Sequence, residues 1–498
     1  MHIPANHAPR DPGRTREPRR RRRRSVSVLL VLIGALSSVG GPLRAADAVP
    51  GERWCGVPDG DGIVRAVDRI EFAGNRVTRP EIMLREVPQQ VGERCSLDAV
   101  IDGIQRLMNL DLFRSIRVEL DLEQTVGREV GREVERKVGR GPGPGAGSRA
   151  GTRDATDGTL VLRYIVREKF FFFALPRLSR TSDGELRTGL QLRWDNFTGR
   201  LHEVRITAER RQEDDGRGRS GFVRRLDYLV PRFLGSDWGA SLSLAAEERQ
   251  VGFGRESAVF GEGRREVHRL GLGVARWLGG SDGVQGWSAQ VGLGIEAREL
   301  TVDEGDSGPY EGGFDASVGV GLGYREVHRE SYRRRGQELE LGITAAGKWS
   351  GSDFAYHRFD LRYTRYVPLR GGLRNLNVRA KFGVSDGAPF GEDTYSIGGG
   401  EQLRGIAPGR DVGDLLALVN VEYLQAFFTR PAWRWVVFGD VGNVHPKGRF
   451  RLLAQNARVG VGLRYKLRAL SRTDLRLDLG WDADRGKVVT YVATSVTF

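Results

Sequence analysis

The chain has 498 residues, 29% of them charged, with two cysteines and a formal net charge of +14. That length leaves room for more than one domain with its own core. The positive excess is local: residues 1–45 hold ten arginines (Arg10, Arg14, Arg16, Arg19 through Arg24, Arg44) against Asp11 and Glu17, leaving +6 for the remainder. A chain-wide nucleic-acid-binding surface is therefore excluded.

The N-terminus runs from a basic stretch through apolar Val26 to Leu36 to small residues at Ala45, Ala46 and Ala48. This is the layout of a secretory signal, read here as residues 1–48 with cleavage after Ala45 or Ala48. A nucleic-acid arm does not account for the apolar stretch, and a retained anchor needs a longer one. No later run of about 18 apolar residues suggests a second helical span. Cys55 and Cys95 either pair in an oxidising periplasm or remain two separate, partly buried thiols. Glu52, Arg53 and Trp54 precede Cys55, which is unlike a lipid-attachment site.

Residues 49–169 read as a small α+β module. Asp68 to Phe72 alternates as a strand and meets a turn signal at Gly74-Asn75. Thr78-Arg79-Pro80-Glu81 predicts a helix start, with Thr78 as cap, Glu81 completing a capping box and proline in the first turn. A second helix starts at Ser96, with Leu97, Val100, Ile101, Ile104, Leu107 and Met108 at helical spacing. Ile116, Val118 and Leu120 form a strand, as do Leu160, Leu162, Tyr164 and Val166. Between these strands, residues 124–157 carry a Val-Gly-Arg-Glu near-repeat and Gly141-Pro142-Gly143-Pro144-Gly145. That composition reads as a disordered insertion, with a short charged helix as the alternative.

From about residue 170 to 498, period-two alternation dominates. Val459, Val461, Leu463 and Tyr465 alternate with Gly460, Gly462, Arg464 and Lys466; Leu475, Leu477, Leu479 and Trp481 alternate with Arg476, Asp478, Gly480 and Asp482. A soluble sandwich would pack the apolar face against a second sheet. A transmembrane barrel would turn it to lipid and the charged face to a wet lumen. The barrel is favoured by strands of about ten residues and by an even count of sixteen candidates, from 171–179 to 487–498. Trp238, Trp277, Trp287, Trp433, Trp435 and Trp481 fall at or near strand ends, as in interfacial belts. The fold class is thus an α+β module followed by an all-β, 16-stranded antiparallel transmembrane barrel.

Motifs that suggest chemistry fit structural roles better. Gly305-Asp306-Ser307-Gly308-Pro309 matches the sequence around a protease serine, but no upstream histidine context accompanies it, so it reads as a turn. Gly319, Gly321 and Gly323 lack the strand-to-helix setting of a phosphate loop and read as small lumen-facing positions. His202, His268, His328, His357 and His445 show no metal-ligand spacing. Neither an enzyme nor a cofactor or metal site is expected.

One arginine stands apart. Arg404 lies in Gly398-Gly399-Gly400-Glu401-Gln402-Leu403-Arg404-Gly405-Ile406, and Glu422 and Asp440 follow at strand positions. A planar guanidinium fork suits bidentate carboxylate pairing, which would pin a long loop inside a barrel.

The module resembles a POTRA domain in its Gly74-Asn75 turn, Leu110-Asp111-Leu112-Phe113, the strand leaving at Ile116, and Val166-Arg167-Glu168. Asp195-Asn196-Phe197-Thr198-Gly199 resembles the early hairpin of the barrel that follows. Leu403-Arg404-Gly405-Ile406 looks like the Val-Arg-Gly-Phe/Tyr tip of the sixth extracellular loop, with Leu403 and Ile406 as departures. Val421-Glu422-Tyr423 and Phe438-Gly439-Asp440-Val441-Gly442 resemble the strand motifs after that loop. The chain is thereby similar to the BamA/TamA-like bacterial surface antigen superfamily, here with a single POTRA module.

The resemblance implies an outer-membrane barrel with its POTRA module in the periplasm. It also implies a latch of Arg404 with Asp440 and Glu422, and a C-terminal signal at Phe498. It implies non-enzymatic assembly, insertion or translocation. The partners would be unfolded outer-membrane or secreted polypeptides and outer-membrane lipids, with periplasmic chaperones or accessory lipoproteins as further candidates and no nucleic acid. A channel or surface antigen without an assembly role is the alternative.

Overall fold

The computed structural model describes Cys55, residues 66–124 and 158–180, and residues 186–493 apart from short intervening segments. The expected signal segment, all of the expected insertion but Gln124, and Phe498 lie outside the described residues.

The α+β module comprises β1 (Arg69–Ala73), α1 (Pro80–Leu84), α2 (Leu97–Asn109), β2 (Phe113–Gln124) and β3 (Gly158–Glu168). Its sheet has the order β1-β3-β2, with β1 parallel and β2 antiparallel to β3. Val100 and Leu107 from α2 pack with Ile116, Leu162 and Tyr164 of the sheet in one buried cluster. The Ser96 hydroxyl caps α2 by accepting from the Ala99 amide at 3.4 Å.

The first helix starts differently from the expectation. Arg79 holds the cap position with no side-chain cap bond. Thr78 is buried, and its Oγ1 accepts instead from Asn196 Nδ2 at 2.9 Å. Glu168 accepts from the amides of Arg76, Val77 and Thr78 at 2.9, 3.0 and 2.7 Å, fixing the turn before α1. A long-range carboxylate therefore replaces the local capping box. Cys55 and Cys95 are joined, with Sγ atoms 2.10 Å apart.

The barrel strands are β4 (Phe172–Arg180), β5 (Leu186–Phe197), β6 (His202–Gln212), β7 (Ser220–Val230), β8 (Trp238–Arg255), β9 (Ala258–Leu278), β10 (Gly286–Gly305) and β11 (Gly313–Arg329). They continue as β12 (Arg334–Ala346), β13 (Tyr356–Leu369) and β14 (Arg374–Asp386). Two short strands, β15 (Tyr395–Ile397) and β16 (Asp411–Gly413), pair with each other within the following loop. The wall resumes with β17 (Leu415–Phe427), β18 (Arg430–His445), β19 (Asn456–Lys466), β20 (Asp474–Asp482) and β21 (Lys487–Ala493).

Sixteen strands from β4 to β21 form one antiparallel sheet, as the alternation predicts. The sheet is nearly closed: β21 lies beside β4, but no backbone ladder joins them among the described residues. Apolar side chains cover the outside, with Val291 57% and Val461 53% exposed. Such a girdle would be anomalous against water and is ordinary against lipid. Gly305–Pro309 forms the turn leaving β10, with Asp306 Oδ1 accepting from the Gly308 amide at 3.0 Å.

The module is built into one end of the barrel. Leu201, from the β5–β6 turn, belongs to the module's core cluster. That turn holds Asn196, Thr198 and Leu201 at positive φ, conformations that cost energy in non-glycine residues. Arg79 supports it by donating from its amide to Gly199 O and from Nε to Thr198 O, both at 3.1 Å. Elsewhere on the rim, Asn109 Oδ1 accepts from the Arg329 amide at 2.9 Å.

Candidate functional site: an arginine-centred loop anchor in the lumen

The loop between β14 and β17 folds back into the barrel. Gly398, Gly399 and Gly405 take φ of 128°, 86° and 90°, a backbone turn that side chains at those positions would oppose. The Gly399 amide donates to Ile406 O at 2.8 Å, closing a tight crown. Leu403 and Ile406 are fully buried with Ile397, Leu416, Leu418 and Val444. Arg404 therefore projects from a fixed backbone, 1% exposed.

Asp440 on β18 takes the guanidinium fork. Arg404 Nε donates to Oδ2 and Nη2 to Oδ1, both at 2.6 Å, and the Arg404 amide adds a bond to Oδ2 at 3.1 Å. Glu422 on β17 accepts from Nη1 at 2.5 Å. The guanidinium carbon lies 3.6 Å from the Phe438 ring centroid, an additional cation–π contact. Arg404, Glu422 and Asp440 are thus brought together.

The cluster is larger than those three. Asp478 on β20 lies 3.4 Å from Arg404 Nη1 and accepts from Arg464 Nη1 and Arg476 Nε, each at 2.5 Å. Arg464 Nη2 also reaches Glu422 at 3.1 Å. Asn420 Nδ2 donates to Asp440 Oδ1 at 2.8 Å and to Gln402 O at 2.6 Å. Arg379 Nη2 donates to Glu401 O at 2.7 Å and Arg476 Nη2 to Gly400 O at 2.6 Å. The Tyr491 hydroxyl accepts from the Gly405 amide at 3.0 Å and donates to Ile406 O at 3.2 Å. Every strand from β17 to β21, and β14, contributes a contact.

Room for this cluster comes from glycines. A Cβ at Gly460 would lie 2.2 Å from the Phe438 ring, and one at Gly462 would lie 2.2 Å from Asp478 Oδ1. Gly480 faces the Gly405 backbone, where a Cβ would meet the amide nitrogen at 2.8 Å. The alternation in β19 and β20 therefore leaves space as well as charge.

The loop has a second anchor on the opposite wall, which sequence reading missed. Glu392 accepts from Arg265 Nη1 on β9 at 2.7 Å and lies 2.9 Å from Arg298 Nη1 on β10. Phe390 is 2% exposed, with the Arg298 guanidinium 4.0 Å from its ring centroid and the Phe354 centroid at 4.5 Å. No local motif marks this pair. Only the fold brings β9 and β10 beneath the loop.

A charged centre on one wall of a 16-stranded barrel, with a POTRA-like module at the mouth, can be compared with known proteins. An Omp85 superfamily domain model matches residues 196–491, more than half of the chain. The chain belongs to the Omp85 superfamily. A POTRA model, described as a surface antigen variable number repeat, matches residues 66–130 of this Omp85 protein. A search of curated proteins finds no match.

Solved structures share the fold. BamA from Haemophilus ducreyi lacking POTRA domains 1–3 is 16% identical, with a TM-score of 0.51, covering 87% of this chain and 85% of that one. CdiB from Escherichia coli is 14% identical, with a TM-score of 0.55 and coverage of 87% and 74%. CdiB from Acinetobacter baumannii is 14% identical, with a TM-score of 0.54 and coverage of 86% and 73%.

This Omp85 protein is an outer-membrane barrel with its POTRA domain in the periplasm. The strand directions then place the anchored loop at the extracellular side. They also place Trp238, Trp277, Trp287 and Trp433 near the periplasmic boundary and Trp481 near the other. Trp287 packs on Tyr324 and Trp433 on Tyr465 across adjacent strands.

Proposed function

We propose that this Omp85 protein inserts or translocates polypeptides at the outer membrane without enzymatic chemistry. The observation that carries this reading is the junction between β4 and β21, where no backbone ladder forms among the described residues, with the POTRA module fixed at the adjoining periplasmic mouth. Edge strands β1 and β2 offer unpaired backbone to an extended client, and the barrel junction offers a second such edge. The anchored loop keeps the lumen in one shape while clients engage these edges. Unfolded outer-membrane or secreted polypeptides are the expected substrates. Arg404, Glu422 and Asp440 act as a latch in this scheme and carry out no chemistry.

Depletion followed by quantitative outer-membrane proteomics tests the proposal. Selective loss of barrel proteins or of a secreted partner is expected; an unchanged proteome and secretome would overturn it. The lumen wall formed by β8 to β12 favours a second reading. Its small residues, including Ser241, Gly273, Gly319 and Thr344, border a 760 Å³ trough. Steady bilayer conductance together with an unchanged proteome would favour the channel.

A further inference from the structure

The outer surface carries a feature that polypeptide handling does not use. Cross-strand register aligns Ala208, Arg224, Ala246, His268 and Ala297 in one row over β6 to β10. The row beneath it is wholly apolar: Ile206, Leu226, Leu244, Leu270 and Ile295. Alanines between larger neighbours leave a shallow depression of 670 Å³, lined by both rows.

Arg224 and His268 are exposed on this membrane-facing side, and neither has an ion-pair or hydrogen-bond partner among the described residues. Arg210 stands diagonally across from Arg224 and lies 5.7 Å from the Phe222 ring. Diagonal neighbours on one sheet face are about 7–8 Å apart, so both guanidiniums can reach a single phosphate.

Depth identifies the occupant. His268 lies ten residues along β9 from Leu278, at the periplasmic belt. At about 3.3 Å per residue and a tilt of about 40°, that climb is roughly 25 Å, the height of a barrel's apolar band. On the neighbouring strands Arg210 lies two residues from the extracellular end of β6 at Gln212 and Arg224 four residues from that of β7 at Ser220, so their long side chains reach up to the headgroups of the outer leaflet. A guanidinium at that boundary is stabilised by an anion. Glu248 and Glu266 occupy the next row on β8 and β9, and Glu248 lies 3.9 Å from Arg264. The anion is thus directed toward β6 and β7.

We propose that this face binds a phosphorylated, multiply acylated glycolipid of the outer leaflet, with a phosphate between Arg210 and Arg224 and an acyl chain in the depression. The test reconstitutes the full chain in phosphatidylcholine nanodiscs containing bisphosphoryl lipid A or phosphatidylglycerol. After detergent extraction, native mass spectrometry counts the retained lipid.

Wild-type protein should retain lipid A, and the double variant Arg210→Gln/Arg224→Gln should retain about tenfold less or lower still. Arg276→Gln, on the same face at the periplasmic belt, should behave as wild type. Ala246→Trp, which fills the depression and leaves both arginines, should also lose the lipid. Equal retention by the double variant or by Ala246→Trp would overturn the proposal. So would equal retention of phosphatidylglycerol, or displacement of the lipid by inorganic phosphate.

Discussion

Arg404 pairs with carboxylates on different strands, its Nε/Nη2 edge taken by Asp440 and its Nη1 by Glu422. Removing its side chain leaves Glu422 with Arg464 and Asp478 with Arg464 and Arg476, while Asp440 retains Asn420 and the residue 404 amide but no charged partner among the contacts described above. We predict that Arg404→Ala weakens the folded-back loop by about 3–5 kcal/mol, the usual cost of stranding a buried charge. Asp440→Asn in the same background should restore part of that loss. Protease accessibility of residues 387–414 in intact membranes reads both effects, and unchanged accessibility in Arg404→Ala would rule out the anchor. Arg404→Lys should behave nearly as badly, since a point charge cannot reproduce the fork.

At the periplasmic rim, Asp111 accepts from Lys169 at 2.5 Å and lies 3.9 Å from Arg329. Burial opposes its ionisation, but the charges of Lys169, Lys466 and Arg329 outweigh it and hold the carboxyl well below its ordinary range. A depressed carboxyl pKa stabilises the joint at every pH above the unfolded value, about 4, and the contribution is lost as pH falls through the depressed value. Protection of the α2 amides, the ratio of intrinsic to observed exchange rate at each pH, should therefore stay constant from pH 7 to 5 and fall only in stronger acid. Asp111→Asn should lower it already at pH 7.

Among elements, β17 to β20 were the most legible. Their alternation separates lipid-facing from lumenal positions, and Arg404, Glu422 and Asp440 stood out because short motifs surround them. Asp478, Arg464 and Arg476 were visible only as lumen-facing charges. Which arginine meets which carboxylate depends on register across four strands, and no local pattern encodes that. The Thr78 cap was misread for a related reason: its hydroxyl serves the barrel turn at Asn196, a contact between residues 118 positions apart in the chain.

Glycines in β19 carry their own prediction. Gly460→Val should press on both the Phe438 ring and the Leu479 carbonyl of the paired strand, disturbing the surface on which the Arg404 guanidinium stacks. Loop protease sensitivity should rise while the barrel still shows heat-modifiable migration. A loop as resistant as wild type would mean that Phe438 is dispensable to the anchor.

For the whole molecule, architecture and strand number followed from sequence periodicity, whereas the junction between domains did not. The β5–β6 turn contributes Leu201 to the POTRA core and receives support from Arg79 and Thr78. Deleting residues 49–169 should therefore leave a spanning, heat-modifiable barrel whose Asn196–Leu201 turn is newly cleavable from the periplasmic side. A turn as resistant as in the full chain would show that it is stable without the POTRA module.

The two anchors of the loop sit on facing walls, Glu392 against β9 and β10 and Arg404 against β17 to β20. A segment fastened at both ends across a cylinder behaves as a tie-rod. Flattening the barrel along that diameter would slacken it, and widening the barrel would load both ionic joints together. The cross-section is thereby braced in one direction and left more compliant in the direction at right angles to it.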